Sequence, residues 1–126
     1  MIAVVWTIFG CIALVLSCSS ATKAGDLLDF NRDIRPILSN YCFPCHGPDA
    51  KTRQAELRLD VRRQAIEKGA VMPGQPHASK LLSRVEHSDK GKRMPPAKTG
   101  KTLTLEQKRK LQHWIAEGAN YDTHWA

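Results

Sequence analysis

The chain opens with an uncharged stretch from Met1 to Thr22. Within it, Ile2 to Leu16 form an apolar run of 15 residues interrupted only by Thr7 and Gly10. A secretory signal carries an apolar segment of about 7–15 residues, whereas a helix that spans a bilayer needs about 20. The length predicts an export signal, although no Lys or Arg precedes the run. The run ends in VLSCSSATKAG, where two processing routes compete. The residues before Cys18 resemble the signal of a bacterial lipoprotein, with Val15 and Ser17 in acceptable places and Leu16 a poor match. Cleavage after Ala21 or Ala24 is the other route. Residues 1–17 are therefore expected to be the signal (extending to 21 or 24 on the second route), 18–28 a linker, and 29–126 the folded domain. Lipidation of Cys18 would tether the exported domain to a membrane surface.

Beyond the linker, Phe30, Ile34, Ile37, Leu38 and Tyr41 recur at helical spacing and predict one buried face. Asp33 is the expected N-cap, which would put Pro36 in the first turn, where its missing N–H is tolerated. Gly47-Pro48 should end the helix. Residues 49–56 read as loop, and the alternation of Leu57 and Leu59 with Arg58 and Asp60 as a short extended piece. A second helix is expected from about Asp60 to Lys68, stopped by Gly69. Val71 to Gly74 is a turn. Leu81, Leu82 and Val85 suit a third helix opened near His77–Ser79. Residues 87–104, with Met94-Pro95-Pro96 in the middle, read as an ordered loop. Thr104 and Gln107 form a capping-box pattern at the head of a last helix, which places Leu105, Leu111, Trp114 and Ile115 along its inner side and stops at Gly118. The fold class is all-α, with three to five helices joined by long loops.

Composition narrows the classes. At 126 residues and 42% hydrophobic, the chain is one domain plus a targeting segment, too apolar for disorder and too poor in spanning segments for a multi-pass membrane protein. Of its four cysteines, Cys11 lies in the signal and Cys18 is removed or lipidated, so only Cys42 and Cys45 remain in the domain. Two closely spaced cysteines do not make a disulfide framework.

Those two belong to Cys42-Phe43-Pro44-Cys45-His46. C-x-x-C-H is the attachment signature of c-type haem. Two thiols three positions apart on one turn can each reach a vinyl group of the same porphyrin, and the adjacent imidazole then lies under the ring, facing the iron. Attachment of this kind takes place outside the cytoplasm, which agrees with the export signal. One haem c is expected, held covalently by Cys42 and Cys45 with His46 as proximal iron ligand. A thioredoxin-like dithiol, a zinc site and a simple disulfide are the competing readings. The first would follow a buried strand. The second would need further ligands at zinc spacing, and His77, His87, His113 and His124 are scattered. For the sixth position a thioether suits low-spin iron, so Met94 in its Pro-stiffened loop and Met72 in a Pro-Gly turn are the candidates, beside a His or an open site.

The segments DFNRDIRPILSNYCFPCHGPDAKTRQAELRLD, MPGQPHASKLLSRV, RMPPAKTGKTLT and LQHWIAEGANYDTHWA, running from about Asp29 to Ala126, resemble the planctomycete-type cytochrome c domain. The resemblance implies a small class I-like cytochrome c fold around a covalent haem. It implies thioethers at Cys42 and Cys45, His46 as proximal ligand and Met94 of RMPP as distal ligand, leaving Met72 as packing. In that family the domain usually begins a longer chain, so both a stand-alone carrier and the redox module of a larger protein are consistent with it. The expected activity is single-electron transfer without catalysis of a bond-making step. The alternative is a haem-based sensor or peroxidase-like module with an open distal site.

Charge adds a location. Residues 90–110 hold Lys90, Lys92, Arg93, Lys98, Lys101, Lys108, Arg109 and Lys110 against Glu106 alone, and so account for the whole net charge of +7. A solvated loop would explain this, as would a docking face for an acidic redox partner in the periplasm or contact with an anionic polymer or lipid. A nucleic-acid partner is not expected for an exported chain without aromatic residues among those charges. Trp114 and Ile115 are expected near the porphyrin or against the first helix, and Arg58 is a candidate partner for a haem propionate.

Overall fold

The computed structural model describes residues 28–122. The expected export signal, Cys18 and nearly all of the expected linker lie outside the described residues, as do His124 and Trp125. Among the described residues there are five short α-helices and no strand, and no helix is long and apolar enough to cross a membrane.

The first helical segment is longer than the sequence predicts and changes pitch. A π-helical turn, Phe30–Ile34, leads directly into α1, Arg35–Tyr41. Pro36 has no N–H to give to the carbonyl of Arg32, and its ring would crowd that carbonyl in a regular α-helix. The turn before it widens, with the Arg35 N–H bonding to Phe30 O. The cap is consequently Asp29, whose carboxylate accepts the Arg32 N–H at 2.7 Å. Asp33, the expected cap, instead accepts the Asp29 N–H at 2.9 Å from inside the turn. The earlier start is tolerated because the π turn accommodates Pro36.

α2, Phe43–His46, follows with one residue between. Cys42 both closes α1, giving its N–H to Leu38 O at 2.8 Å, and opens α2, its carbonyl accepting the His46 N–H at 2.8 Å. Gly47 ends α2 where the chain passes so close to the Phe43 carbonyl that a Cβ would run into it. The stretch around Leu57 and Leu59 is a set of turns rather than an extended piece. α3 spans Arg62–Glu67 and stops as expected at Gly69, which is left-handed at φ 67°. A 3₁₀ turn, Pro76–Ala78, precedes α4, Lys80–Val85. α5, Leu105–Ala116, carries the expected capping box: Gln107 N–H to Thr104 Oγ1 at 3.2 Å and Thr104 N–H to Gln107 Oε1 at 2.9 Å.

α5 packs on the π turn and on α4, and together they build the core. Ile34, Leu38, Val71, Leu111 and Ile115 are fully buried. Phe30, Trp114 and Tyr121 form an aromatic cluster with ring centroids 4.8–5.8 Å apart. Leu105 departs from the expected inner face and is 63% exposed, because it is the first residue of α5 and lies beyond the edge of the core. Beside this core, α2, α4 and the loop after α4 contribute side chains to a cavity.

Candidate functional site

α2 presents the CxxCH residues on a single turn. Cys42 is buried, while Cys45 and His46 are half-buried, and neither cysteine is in a disulfide. The His46 Nδ1 lies 3.2 Å from the Gln54 carbonyl oxygen. A carbonyl only accepts, so this contact puts the ring hydrogen on Nδ1 and leaves the Nε2 lone pair free. The loop that supplies Gln54 is tied to α2 at both ends. The Gln54 N–H donates to Cys45 O at 2.6 Å, and the Leu59 N–H to His46 O at 2.8 Å.

Cys42, Cys45 and His46 line a cavity of about 670 Å³. That is within the range of about 300–1,000 Å³ usual for cofactor clefts. Leu57, Leu59, Leu81 and Val85 give it apolar walls, and Met94 and Pro95 enter from the loop after α4. Met94 is fixed through its backbone, its N–H donating to Arg84 O at 3.0 Å, and Pro95 beside it is buried. Met94 is thus brought to the same cavity as the CxxCH residues, although 48 positions separate it from His46. Met72 is not among the lining residues; its N–H is bonded to the buried Ser79 hydroxyl at 2.8 Å. A smaller hollow of about 400 Å³ over α3, lined by Val61, Arg63, Gln64, Glu67 and Lys68, holds no Cys, His or Met.

Burial pushes the Cys42 thiol up to about 12, with the neighbouring Cys45 adding to the rise. A nucleophilic dithiol needs the opposite shift. With no strand among the described residues either, the thioredoxin-like reading has no support. Among the described residues no three His, Cys, Asp or Glu side chains gather into a metal-holding group, so the zinc reading has none either.

One expected neighbour of the cavity lies elsewhere, and of the two places expected for Trp114 the structure shows the one against the first helical segment. Arg58 is held by Asp60 through two hydrogen bonds, at 3.1 and 2.6 Å, and does not line the cavity. Trp114 packs against Phe30, in the turn that leads into α1, and gives its indole N–H to Asn120 O at 2.8 Å. Sequence reasoning missed the basic residues of α4 and the lysine that closes α3. Lys68, Lys80 and Arg84 line the cavity with Lys98 and Lys101, and among the described residues no acidic side chain does. A signal existed: Lys80 and Arg84 are four apart on α4, on the side away from Leu81, Leu82 and Val85.

Comparison with curated proteins and with solved structures returns no match. Residues 42–98, which hold the CxxCH turn, the cavity's apolar walls and Met94, match the family model described as Planctomycete cytochrome C. Over these residues the chain is similar to planctomycete-type cytochrome c domains, and the likeness implies haem-based electron transfer with a covalently bound haem c.

Proposed function

We propose that the domain is a single-electron carrier in which Cys42 and Cys45 hold haem c through thioethers, His46 is the proximal iron ligand through Nε2, and Met94 is the distal ligand. The observation that carries this reading is the gathering of these four residues on one apolar cavity. When bound, haem c supplies an iron that changes by one electron between its ferric and ferrous states. The residues fit such a group. The two thiols are three positions apart on one turn, the imidazole has its outer nitrogen free, and the only sulfur entering from the facing loop is a neutral thioether.

Each part of the chain has a task in this reading. The Gln54 carbonyl fixes the His46 tautomer and makes the ring a stronger donor. The Arg84 carbonyl and buried Pro95 hold the Met94 backbone, so that little freedom is lost when its sulfur binds. Leu57, Leu59, Leu81 and Val85 exclude water, which disfavours the more highly charged oxidised iron and raises the potential. Lys98 and Lys101, with Lys80 and Arg84, make the mouth of the cavity positive. We read this face, continuous with residues 90–110, as the docking site of an acidic redox partner outside the cytoplasm. Export, with or without lipidation at Cys18, belongs to the same proposal.

The test is the protein secreted from a haem-attaching host. Its intact mass should include one haem, and its colour should survive acidified organic solvent. The Cys42→Ser, Cys45→Ser double variant should release its pigment under that treatment. A colourless secreted protein, or pigment extracted from the wild type, overturns the proposal.

A further inference from the structure

The proximal side of the cavity rests on a loop that would not hold its shape unaided. Between Gln54 and Leu59, two consecutive residues with side chains, Ala55 and Glu56, adopt left-handed conformations at φ 55° and 48°. Such residues cost of order 1–3 kcal/mol each and persist only where their surroundings over-determine them. Gln54 and Leu59 are tied forward to Cys45 and His46. From behind, the Tyr121 hydroxyl donates to the Leu59 carbonyl at 2.8 Å. One residue thereby joins Tyr121 to the His46 backbone, since the Leu59 N–H donates to the His46 carbonyl at 2.8 Å.

Tyr121 is itself well placed to act as a fixed post. Its ring stacks on Phe30 at 4.8 Å and meets Trp114 at 5.2 Å. The backbone around it is pinned by side chains from three elements. Arg62 donates to Ala119 O and Gly118 O at 2.8 and 3.1 Å, Trp114 to Asn120 O at 2.8 Å, and Arg35 to Asp122 O at 3.3 Å. Burial raises the Tyr121 phenol above its ordinary value, so the hydroxyl keeps the proton it donates.

We infer that Tyr121 is a positioning residue for the His46 imidazole, acting through Leu59 and the strained loop 54–59. The inference rests on His46 being the proximal ligand. Without the hydroxyl, the Leu59 carbonyl loses its partner, the left-handed pair relaxes, and the Gln54 carbonyl moves off Nδ1. The imidazole then donates less to the iron, and the oxidised state is favoured less.

The experiment compares the wild-type holoprotein with Tyr121→Phe, which keeps the ring and removes only the hydroxyl, and with Leu82→Val, a core change away from the cavity. In Tyr121→Phe the ratio of oxidised to reduced protein at fixed ambient potential should fall about threefold, a rise of about 28 mV at 59 mV per tenfold for one electron. Exchange of the Leu59 amide hydrogen should quicken about tenfold. Leu82→Val should lose thermal stability with neither change. A second measurement needs no variant: in the wild type the Leu59 amide should exchange as slowly as the amides of α5. A low-spin Tyr121→Phe protein with unchanged potential, or a wild-type Leu59 amide exchanging at the rate of an open loop, overturns the inference alone. A wild type that lacks haem, or whose spectrum His46→Ala leaves unaltered, removes the proposed function as well.

Discussion

Replacing Met94 by Leu separates ligation from packing. Met94 is half-buried and its backbone is held by the Arg84 carbonyl, with Pro95 buried next to it, so the substitution changes the side chain and leaves the loop in place. Leu and Met have nearly the same volume, and a swap of this kind in a core costs less than about 1.5 kcal/mol. At a half-buried site about half of that is expected. For a domain of this size about 1 kcal/mol moves the melting temperature by about 4–8 °C, so packing alone should lower it by only a few degrees. The optical effect should be complete. The sulfur-to-iron charge-transfer band should vanish, the iron should shift toward high spin, and carbon monoxide should bind readily. Met72→Leu should leave all three as in the wild type, because Met72 does not reach the cavity. The assay is absorption spectroscopy of the oxidised protein beside thermal unfolding followed by circular dichroism. Retention of the band in Met94→Leu, or its loss in Met72→Leu, would refute the ligand assignment. A wild type that is already high-spin would point instead to an open distal site.

Gly47→Ala should destabilise by more than about 2 kcal/mol, read as a lowered denaturant midpoint, since the added Cβ meets the Phe43 carbonyl and the α2 turn has to move. The pH response should carry an Asp33 component. Hydrogen bonds from the Arg32 guanidinium and the Asp29 N–H, with the charge of Lys110 nearby, hold its carboxyl below its ordinary value of 3.8. Its contribution is therefore present above about pH 4 and is lost as pH falls through the lowered value, so Asp33→Asn should flatten the acid limb of a stability–pH curve. An Asn variant with an unaltered acid limb would contradict this. Electron transfer to an acidic partner should slow steeply as salt rises from about 10 to 200 mM, and more so in the wild type than in a Lys98→Glu, Lys101→Glu variant; a rate indifferent to salt would remove the docking proposal.

Much of the helical order was legible because local signals coincide. Thr104 and Gln107 announce a capping box, and both halves of it form. Gly69 and Gly118 mark helix ends where the chain turns left-handed. The first segment was misjudged because Pro36 was weighed against a regular α-helix, whereas the chain widens one turn into a π turn and starts at Asp29. Leu105 was placed inward by its spacing, but spacing gives direction around an axis and says nothing of how far along it the core extends. Arg58 offered no sequence sign of preferring Asp60, two residues on, to a propionate.

By itself the sequence determined that two thiols and an imidazole share one short stretch of chain. Two thiols and an imidazole within five consecutive positions can be delivered by one turn of backbone, and that geometry is local. What only the tertiary structure decided is what meets that turn from elsewhere in the chain. Met94, Lys80 and Arg84 arrive at the cavity because α4 packs on α5, and Tyr121 reaches Leu59 because the chain after α5 folds back over Phe30. These are contacts between distant positions, whose closure depends on burying Ile34, Leu38, Leu111 and Ile115 together. No short-range pattern encodes them, because the energy that brings them about belongs to the shared core and not to the residues that meet.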